Sequence, residues 1–275
     1  MRKKEKNMQK QSDIKCNWKF QLALSVAIFA IFSIYVPALG ALGLDLTNGT
    51  LLSEGSRLFV SVALATVCGC LIREELEKKN PLHLSGRTKI LLGLLGAVFL
   101  IVAFQIGMFF NWMDVLQLDP VSILKCFFIA VAAAVFEELL VRGLILSALE
   151  KAFQNSRHRL LLAGLISALI FGALHYYNLF QNASLGEINQ QVFYAAALGV
   201  MFAAFRICFQ NLWLPILIHF AIDFQPFIGE SGGGGGQSPW TFLLLLFVPL
   251  ALMAAVTLFS ADRDAGICRK EEEKE

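Results

Sequence analysis

Charged residues are scarce in this chain of 275 residues: they make up only 16% of it, whereas hydrophobic residues make up 57%. A typical soluble domain carries about 25% charged residues. The shortage of charge excludes a solvated globular enzyme, and the wealth of apolar side chains excludes a disordered chain. The net charge of only +2 implies no nucleic-acid partner.

Familiar metal and nucleophile motifs are also missing. The six cysteines follow no spacing that is typical of a disulfide framework or a zinc site. The chain contains no His-Glu-x-x-His helix and no Gly-x-Ser-x-Gly elbow. We therefore expect no metal and no cofactor, and a metal held by the ionisable residues described below is kept as an alternative.

Long apolar stretches dominate the remaining sequence. A membrane-spanning helix needs about 20 mostly apolar residues. Eight stretches are candidates: 20–44, 51–72, 90–110, 121–149, 159–178, 188–206, 211–226 and 240–260. Their apolar residues form continuous runs and do not alternate with polar ones as in barrel strands. The sequence therefore predicts an all-α, polytopic integral membrane protein with about eight transmembrane helices in a lipid bilayer.

Basic residues indicate the orientation of these spans. They gather in an N-terminal tail (1–19), in alternate loops, the last of which contains Arg206, and in a charged C-terminal tail (261–275). The positive-inside rule then places both termini in the cytoplasm. Between the tails we expect a transmembrane domain over 20–260, with Gly232–Gly236 as a flexible linker on the outer side.

Ionisable side chains inside the predicted spans form a distinct group. They are Glu137, Glu138 and Arg142 in the fourth span, His175 in the fifth, and His219 and Asp223 in the seventh. Such residues are costly in a bilayer and indicate function by default. Their concentration in three spans therefore favours one shared site over unrelated packing contacts.

The spacing of these residues suggests pairs. Glu138 and Arg142 are four residues apart, share a helix face and are able to form an ion pair. Glu137 lies about 100° further around the helix. It has no cation of its own, which suits a general base. His219 and Asp223 repeat the four-residue spacing. Each pair, taken alone, also fits a structural salt network or a polar contact between helices.

Three motifs in this half of the chain resemble those of a known family. They are Glu137-Glu138-Leu-Leu-Val-Arg142, Phe171-Gly-Ala-Leu-His175 and His219-Phe-Ala-Ile-Asp223. In this order and on membrane helices, they are similar to the motifs of the CPBP (CAAX-processing and bacteriocin-processing, or Abi) intramembrane glutamic endopeptidases. The resemblance covers roughly 121–226.

The resemblance implies an eight-span fold with its catalytic core in helices four to seven. It also implies peptide-bond hydrolysis by activated water. It implies that Glu137 is the base and that His175 holds the attacking water. His219 and Asp223 would stabilise the oxyanion. The supporting residues would be Glu138, Arg142 and Phe171. Many members have Asn at the position of Asp223. This aspartate would therefore either be protonated and donate a hydrogen bond, or orient His219.

The substrate would be a peptide or a membrane-anchored protein, prenylated or leader-bearing. The short loops favour a bacterial cell membrane, and with it the processing of a leader or a membrane protein. Two other functions stay open. Intramembrane Glu, His and Asp also build the proton relays of proton-coupled transporters. A non-catalytic membrane protein of the bacteriocin-immunity type would bind a partner and tolerate loss of Glu137.

Overall fold

The structure is a computed structural model that describes most of the chain. The described residues are 17–41, 49–77, 82–181, 184–226 and 237–272. Three predicted features lie outside them: the N-terminal tail up to residue 16, the basic residues Lys78 and Lys79, and the linker Gly232–Gly236.

Helices form 87% of the structure. In chain order they are α1 (Trp18–Ala41), α2 (Leu51–Glu77), α3 (Gly86–Gln105), α4 (Met108–Val115), α5 (Pro120–Glu138), a π-helical segment (Leu139–Ile145), α6 (Leu146–Ala152), α7 (Arg159–Leu174), a 3-10 segment (His175–Gln181), α8 (Leu185–Phe209), α9 (Trp213–Asp223) and α10 (Trp240–Glu272). No strand occurs in the described ranges. The prediction of an all-α fold is confirmed.

Six described helical segments are long and apolar enough to cross a membrane: α1, α2, α3, α7 together with the 3-10 segment that continues it, α8 and α10. The protein is therefore a polytopic membrane protein, while the expected count of about eight spans stays a prediction. The other two predicted spans differ in kind. One is the helical run from α5 to α6, which carries several charges. The other is α9, whose 11 residues reach about 16 Å, roughly half the thickness of a bilayer core.

Large apolar side chains cover the outer faces of the long helices. Phe59 is 75% exposed, Leu245 is 75% exposed and Val26 is 70% exposed. Water would penalise so much exposed apolar surface, whereas the hydrocarbon of a bilayer solvates it. This surface agrees with the membrane assignment.

Small residues let α7 and α8 pack closely. A Cβ atom added to Gly172 would lie 2.7 Å from the carbonyl oxygen of Val192 on α8. A Cβ atom added to Gly164 would lie 2.6 Å from Leu258 on α10. Helices in membranes associate through such small residues because their backbones can then approach each other. The close packing holds the end of α7 against the middle of α8.

The connection between α8 and α9 depends on two polar residues. Gln210 ends α8 in the left-handed region, with φ of 50°. The side chain of Asn211 then accepts a hydrogen bond from the backbone N–H of Trp213, at 2.6 Å, where α9 begins. A short polar side chain at this place satisfies one of the unpaired N–H groups of the new helix. The chain therefore reverses within a few residues.

Arg206 does not lie where the sequence analysis expects it. We predicted a short loop after residue 206, but α8 continues to Phe209 and Arg206 is 1% exposed. The prediction of a loop position for this arginine is wrong, because the apolar residues Ile207, Cys208 and Phe209 extend the helix past it. Arg206 therefore does not count toward the charge of an exposed loop.

The end of α10 packs into the protein. The predicted boundary at residue 260 falls inside this helix, and Asp262 is 7% exposed. Its carboxylate accepts hydrogen bonds from the backbone N–H groups of Leu160, at 2.8 Å, and Leu161, at 2.9 Å. These two N–H groups belong to the first turn of α7 and have no acceptor within their own helix. Asp262 therefore caps α7 from another helix.

The carboxylate of Asp264, also on α10, binds the start of α3. Its Oδ2 atom accepts hydrogen bonds from the backbone N–H of Ser85, at 2.9 Å, and from the hydroxyl of Thr88, at 2.7 Å. Ser85 is itself the N-cap of α3. Two carboxylates of α10 thus join the starts of two other helices.

We predict that Asp262→Ala lowers the free energy of unfolding by about 1–2 kcal/mol, because it leaves two N–H groups at the start of α7 without an acceptor. The exposed neighbour Arg263 supplies the control, and Arg263→Ala should change stability by less than about 0.5 kcal/mol. Chemical denaturation in detergent micelles measures both values. Equal effects of the two substitutions would contradict the capping role.

Candidate active site

The three motifs lie on three helical elements that meet in the core. The first motif spans the end of α5 and the π-helical segment, the second spans the end of α7, and the third occupies the last two turns of α9. Direct contacts join the elements. His219 of α9 lies within 3.8 Å of both glutamates of the first motif, and its ring is 5.9 Å from that of Phe171 on α7.

Glu138 and Arg142 form the ion pair that their spacing suggests. Arg142 Nη1 donates to Glu138 Oε1 at 2.8 Å, and both side chains are fully buried. A charged pair is costly to remove from water, but once buried its hydrogen bond is strong because the surroundings screen it weakly. The pair therefore acts as a rigid unit.

His219 binds the same carboxylate oxygen. Its Nδ1 atom lies 2.9 Å from Glu138 Oε1. An ionised carboxylate can only accept, so Nδ1 carries the proton and donates it. Glu138 thereby sets both the tautomer and the direction of the ring, as a carboxylate does for many catalytic histidines. The sequence analysis did not predict this contact, which joins residues 81 positions apart.

The opposite nitrogen of His219 faces two further carboxylates. Nε2 lies 3.3 Å from Asp223 Oδ2 and 3.8 Å from Glu137 Oε2. With Nδ1 protonated, a neutral ring would direct a lone pair at these oxygens, and two ionised carboxylates would repel it. The arrangement therefore requires at least one proton shared among Nε2, Asp223 and Glu137. A site that holds a mobile proton next to a carboxylate is suited to acid–base chemistry.

Glu137 and Glu138 differ sharply in exposure although they are adjacent. The side chain of Glu137 is 31% exposed, and that of Glu138 is fully buried. Each residue has one oxygen, Oε2, without a hydrogen-bond partner among the described residues, so exposure is what distinguishes the two. Glu137 is therefore the carboxylate of the pair that is able to receive a water molecule or a substrate.

His175 stands where α7 changes into the 3-10 segment. Its Nδ1 atom lies 2.9 Å from the carbonyl oxygen of Phe171, and the two rings meet edge to face at 4.9 Å. A carbonyl oxygen can only accept, so Nδ1 donates, and a neutral ring keeps its lone pair on Nε2. His175 can thus accept a hydrogen bond from water.

Two aromatic rings enclose the buried cation. The guanidinium of Arg142 lies 4.1 Å from the ring centre of Phe171 and 5.0 Å from that of Phe202. Phe202 also stacks on His219, with ring centres 5.7 Å apart and planes inclined by 19°. Cation–π contacts stabilise an arginine whose Nε and Nη2 have no hydrogen-bond partner among the described residues. The sequence analysis missed Phe202, since nothing distinguishes it from the other apolar residues of α8.

A π-helical segment separates the glutamates from the following turn. It runs over Leu139–Ile145 and has Arg142 at its centre. In such a segment each backbone hydrogen bond joins residues five apart, whereas in an α-helix it joins residues four apart, so the helix is wider. These segments are rare and often occur at functional sites. Here the widened turn begins directly after Glu138. The sequence analysis predicted one regular span at this place, because the π-helical residues are as apolar as their neighbours.

Gly199 provides the space for Arg142. A Cβ atom at this position would lie 3.1 Å from Arg142 Nη2 and 3.0 Å from the Cα atom of Ala168 on α7. Only a residue without a side chain lets α7, α8 and the guanidinium meet here. Nothing in the sequence distinguishes this glycine from the other glycines of the chain.

Neither disulfide bonds nor a metal-binding cluster occurs among the described residues. No disulfide is present among the described cysteines, Cys68, Cys70, Cys126 and Cys208. Among the described residues, no group of three or more His, Cys, Asp and Glu side chains has the geometry of a metal site. The acidic and basic residues of the site are instead connected by hydrogen bonds and ion pairs.

The fold and the site define a class: a polytopic, all-helical membrane protein with a buried cluster of acidic and basic side chains. Residues 119–225 match the family described as type II CAAX prenyl endopeptidase Rce1-like. Over this segment, which contains all three motifs, the chain is similar to that family of CAAX-type proteases. The resemblance found in the sequence is thereby confirmed at the family level. Comparison with curated proteins and with solved structures gives no match.

We predict that Arg142→Met lowers the free energy of unfolding by about 3–5 kcal/mol, because it leaves the Glu138 carboxylate buried without its cation. Adding Glu138→Gln to this variant should restore part of the loss. Arg87→Met, which replaces an exposed arginine at the start of α3, is the control. Unfolding in detergent measures all three, and a loss for Arg142→Met no larger than that of the control would contradict the structural role of the pair.

We also predict that Gly199→Ala lowers the free energy of unfolding by about 1–3 kcal/mol, because the new methyl group collides with Ala168 and crowds Arg142. Gly96→Ala is the matched control. A Cβ atom at Gly96 on α3 meets nothing within 4 Å, and the change should stabilise that helix by about 0.5–1 kcal/mol. Thermal unfolding of the two variants should shift in opposite directions.

Proposed function

We propose that the protein is an intramembrane glutamic endopeptidase that hydrolyses a peptide bond with water activated by Glu137. The observation that carries this proposal is the contrast between the two adjacent glutamates. Glu138 is fully buried and bound by Arg142 and His219, whereas the side chain of Glu137 is 31% exposed. A base needs this accessibility, and a structural carboxylate does not.

In the proposed reaction, Glu137 takes a proton from a water molecule that His175 holds by a hydrogen bond. The water oxygen bonds to the carbonyl carbon of the substrate, and the carbonyl oxygen becomes an oxyanion. His219 Nε2 and the Asp223 carboxyl, each carrying a proton of its own, donate hydrogen bonds to this oxyanion. Each such donor contributes about 3–4 kcal/mol in related sites. When the C–N bond breaks, the proton on Glu137 passes to the leaving amine.

Asp223 lies on the side of His219 that faces Glu137. Glu138 already holds Nδ1 of His219, so a second orienting carboxylate is not required there. Asp223 instead faces Nε2, the nitrogen that also points toward Glu137. This position supports the role of a protonated or proton-sharing donor at the oxyanion.

The family match, the loops and the basic residues support a substrate class, a membrane and an orientation for the protein. The family supports a peptide or protein substrate at the membrane, and its description is that of a CAAX prenyl endopeptidase, which favours a substrate with a CAAX sequence. The short loops support a bacterial cell membrane and a leader-bearing or membrane-anchored substrate. The distribution of basic residues supports cytoplasmic termini.

We predict that Glu137→Gln lowers kcat by about 10²–10⁴-fold, because an amide cannot accept the proton of the water. The test uses the purified protein in liposomes with internally quenched peptides that end in a CAAX sequence, one farnesylated and one not. Asp114→Asn, an exposed acid-to-amide change on α4, should leave kcat unchanged. Cleavage should persist in the presence of a strong chelator.

Several outcomes would contradict the proposal. Cleavage that survives in Glu137→Gln would remove this residue as the base, and cleavage abolished by the chelator would indicate a metal mechanism. Lack of cleavage of both peptides by the wild-type protein would argue against a CAAX-type endopeptidase. Substrate uptake driven by a proton gradient would then favour a transporter, and a cellular effect that tolerates Glu137→Gln would favour a binding protein.

A further inference from the structure

A short helix outside the three motifs contacts the end of α9. The indole Nε1 of Trp112, on α4, donates a hydrogen bond of 2.7 Å to the backbone carbonyl oxygen of Ala221. A second contact lies beside it, where Asn111 Nδ2 donates to Gln225 Oε1 at 3.3 Å. Because α4 is distant in sequence from α9, these contacts arise only in the folded protein.

The Ala221 carbonyl needs a partner because α9 ends there. In the same turn, the carbonyl of Phe220 accepts from the backbone N–H of Phe224 at 2.9 Å. The N–H that would serve Ala221 belongs to Gln225, and it donates to the carbonyl of Asp223 instead. The last carbonyls of a helix require outside donors, and an unpaired one is costly in an apolar region. Trp112 supplies this donor.

The position of Ala221 connects this contact to the chemistry. Ala221 lies between His219 and Asp223, two residues from each, in the final turn of α9. Hydrogen bonds within that turn hold Asp223 near His219 Nε2, at 3.3 Å. Other contacts act on the same short helix, since His219 binds Glu138 and the ring of Phe220 packs on that of Phe127 at 5.7 Å, but Trp112 binds the backbone of its last turn. A displaced last turn would change the distance between the two side chains.

The helix that carries Trp112 is itself well anchored. Met108 and Val115 are 5% and 0% exposed, and they face the protein together with Trp112. The other face exposes apolar side chains, such as Phe110 at 61% and Met113 at 59%, which suit contact with lipid. The ring of Phe109 lies edge to face with Trp112 at 5.3 Å. The indole is therefore held in place before any substrate binds.

We infer that Trp112 is a positioning residue for His219 and Asp223, which it orients by capping the last turn of α9 through Ala221. The inference rests on the proposed function, since its effect is measured as peptide hydrolysis. Trp112 itself does not touch the reacting atoms.

The test compares Trp112→Phe with Trp240→Phe in liposomes, using the quenched farnesylated CAAX peptide. Trp112→Phe keeps a ring but removes the N–H donor, and we expect kcat to fall about five- to tenfold while KM changes less than about twofold. The pH profile of kcat should also shift, because the protons shared by His219 and Asp223 depend on their distance. Trp240 packs on Phe193 at the start of α10, and its replacement should change neither quantity.

A second variant separates the hydrogen bond from ring packing. Incorporation of 3-benzothienylalanine at position 112 replaces only the indole N–H by sulfur, and it should reproduce both the loss in kcat and the shifted pH profile. Wild-type kcat and pH profile in both variants would overturn the inference, as would a loss explained wholly by a smaller folded fraction. These results would leave the proposed function intact as long as Glu137→Gln stays inactive. Full activity of Glu137→Gln would instead refute the function itself.

Discussion

One carboxylate oxygen, Glu138 Oε1, organises the centre of the protein. It accepts hydrogen bonds from Arg142 at 2.8 Å and from His219 at 2.9 Å, and the three side chains are all buried. Weak screening in this interior strengthens both bonds and makes loss of either partner costly. The two bonds connect the end of α5 with α9. As a result, the side chain of Glu138 is fully buried, whereas that of the adjacent Glu137 is 31% exposed.

The buried pair places demands on the helices around it. The guanidinium of Arg142 needs room at Gly199 and the faces of Phe171 and Phe202. Close packing of α7 on α8 meets both needs. The elements of the site also depart from regular membrane helices, since α9 is short and a π-helical turn follows Glu138. Such departures from local rules are expected where function constrains a fold.

Much of the architecture could be predicted because apolar length decides which segments enter a bilayer. The motif residues could also be found, since ionisable groups are rare inside spans and four-residue spacing pairs neighbours on one helix. The contact of His219 with Glu138 could not, because no local rule relates residues on different helices. Phe202 and the π-helical turn escaped because their residues are as apolar as the surrounding ones. Arg206 was misplaced since a charged residue suggested a loop.

The sequence by itself determined the class of protein, the membrane helices and the set of acidic and basic side chains available for chemistry. These follow from composition and from spacing along single helices. The tertiary structure alone decided which glutamate is sealed and which stays accessible. It also decided which nitrogen of His219 faces Asp223, and that Trp112 caps α9. Burial and hydrogen bonds between distant residues depend on how helices pack, and packing is a property of the whole fold.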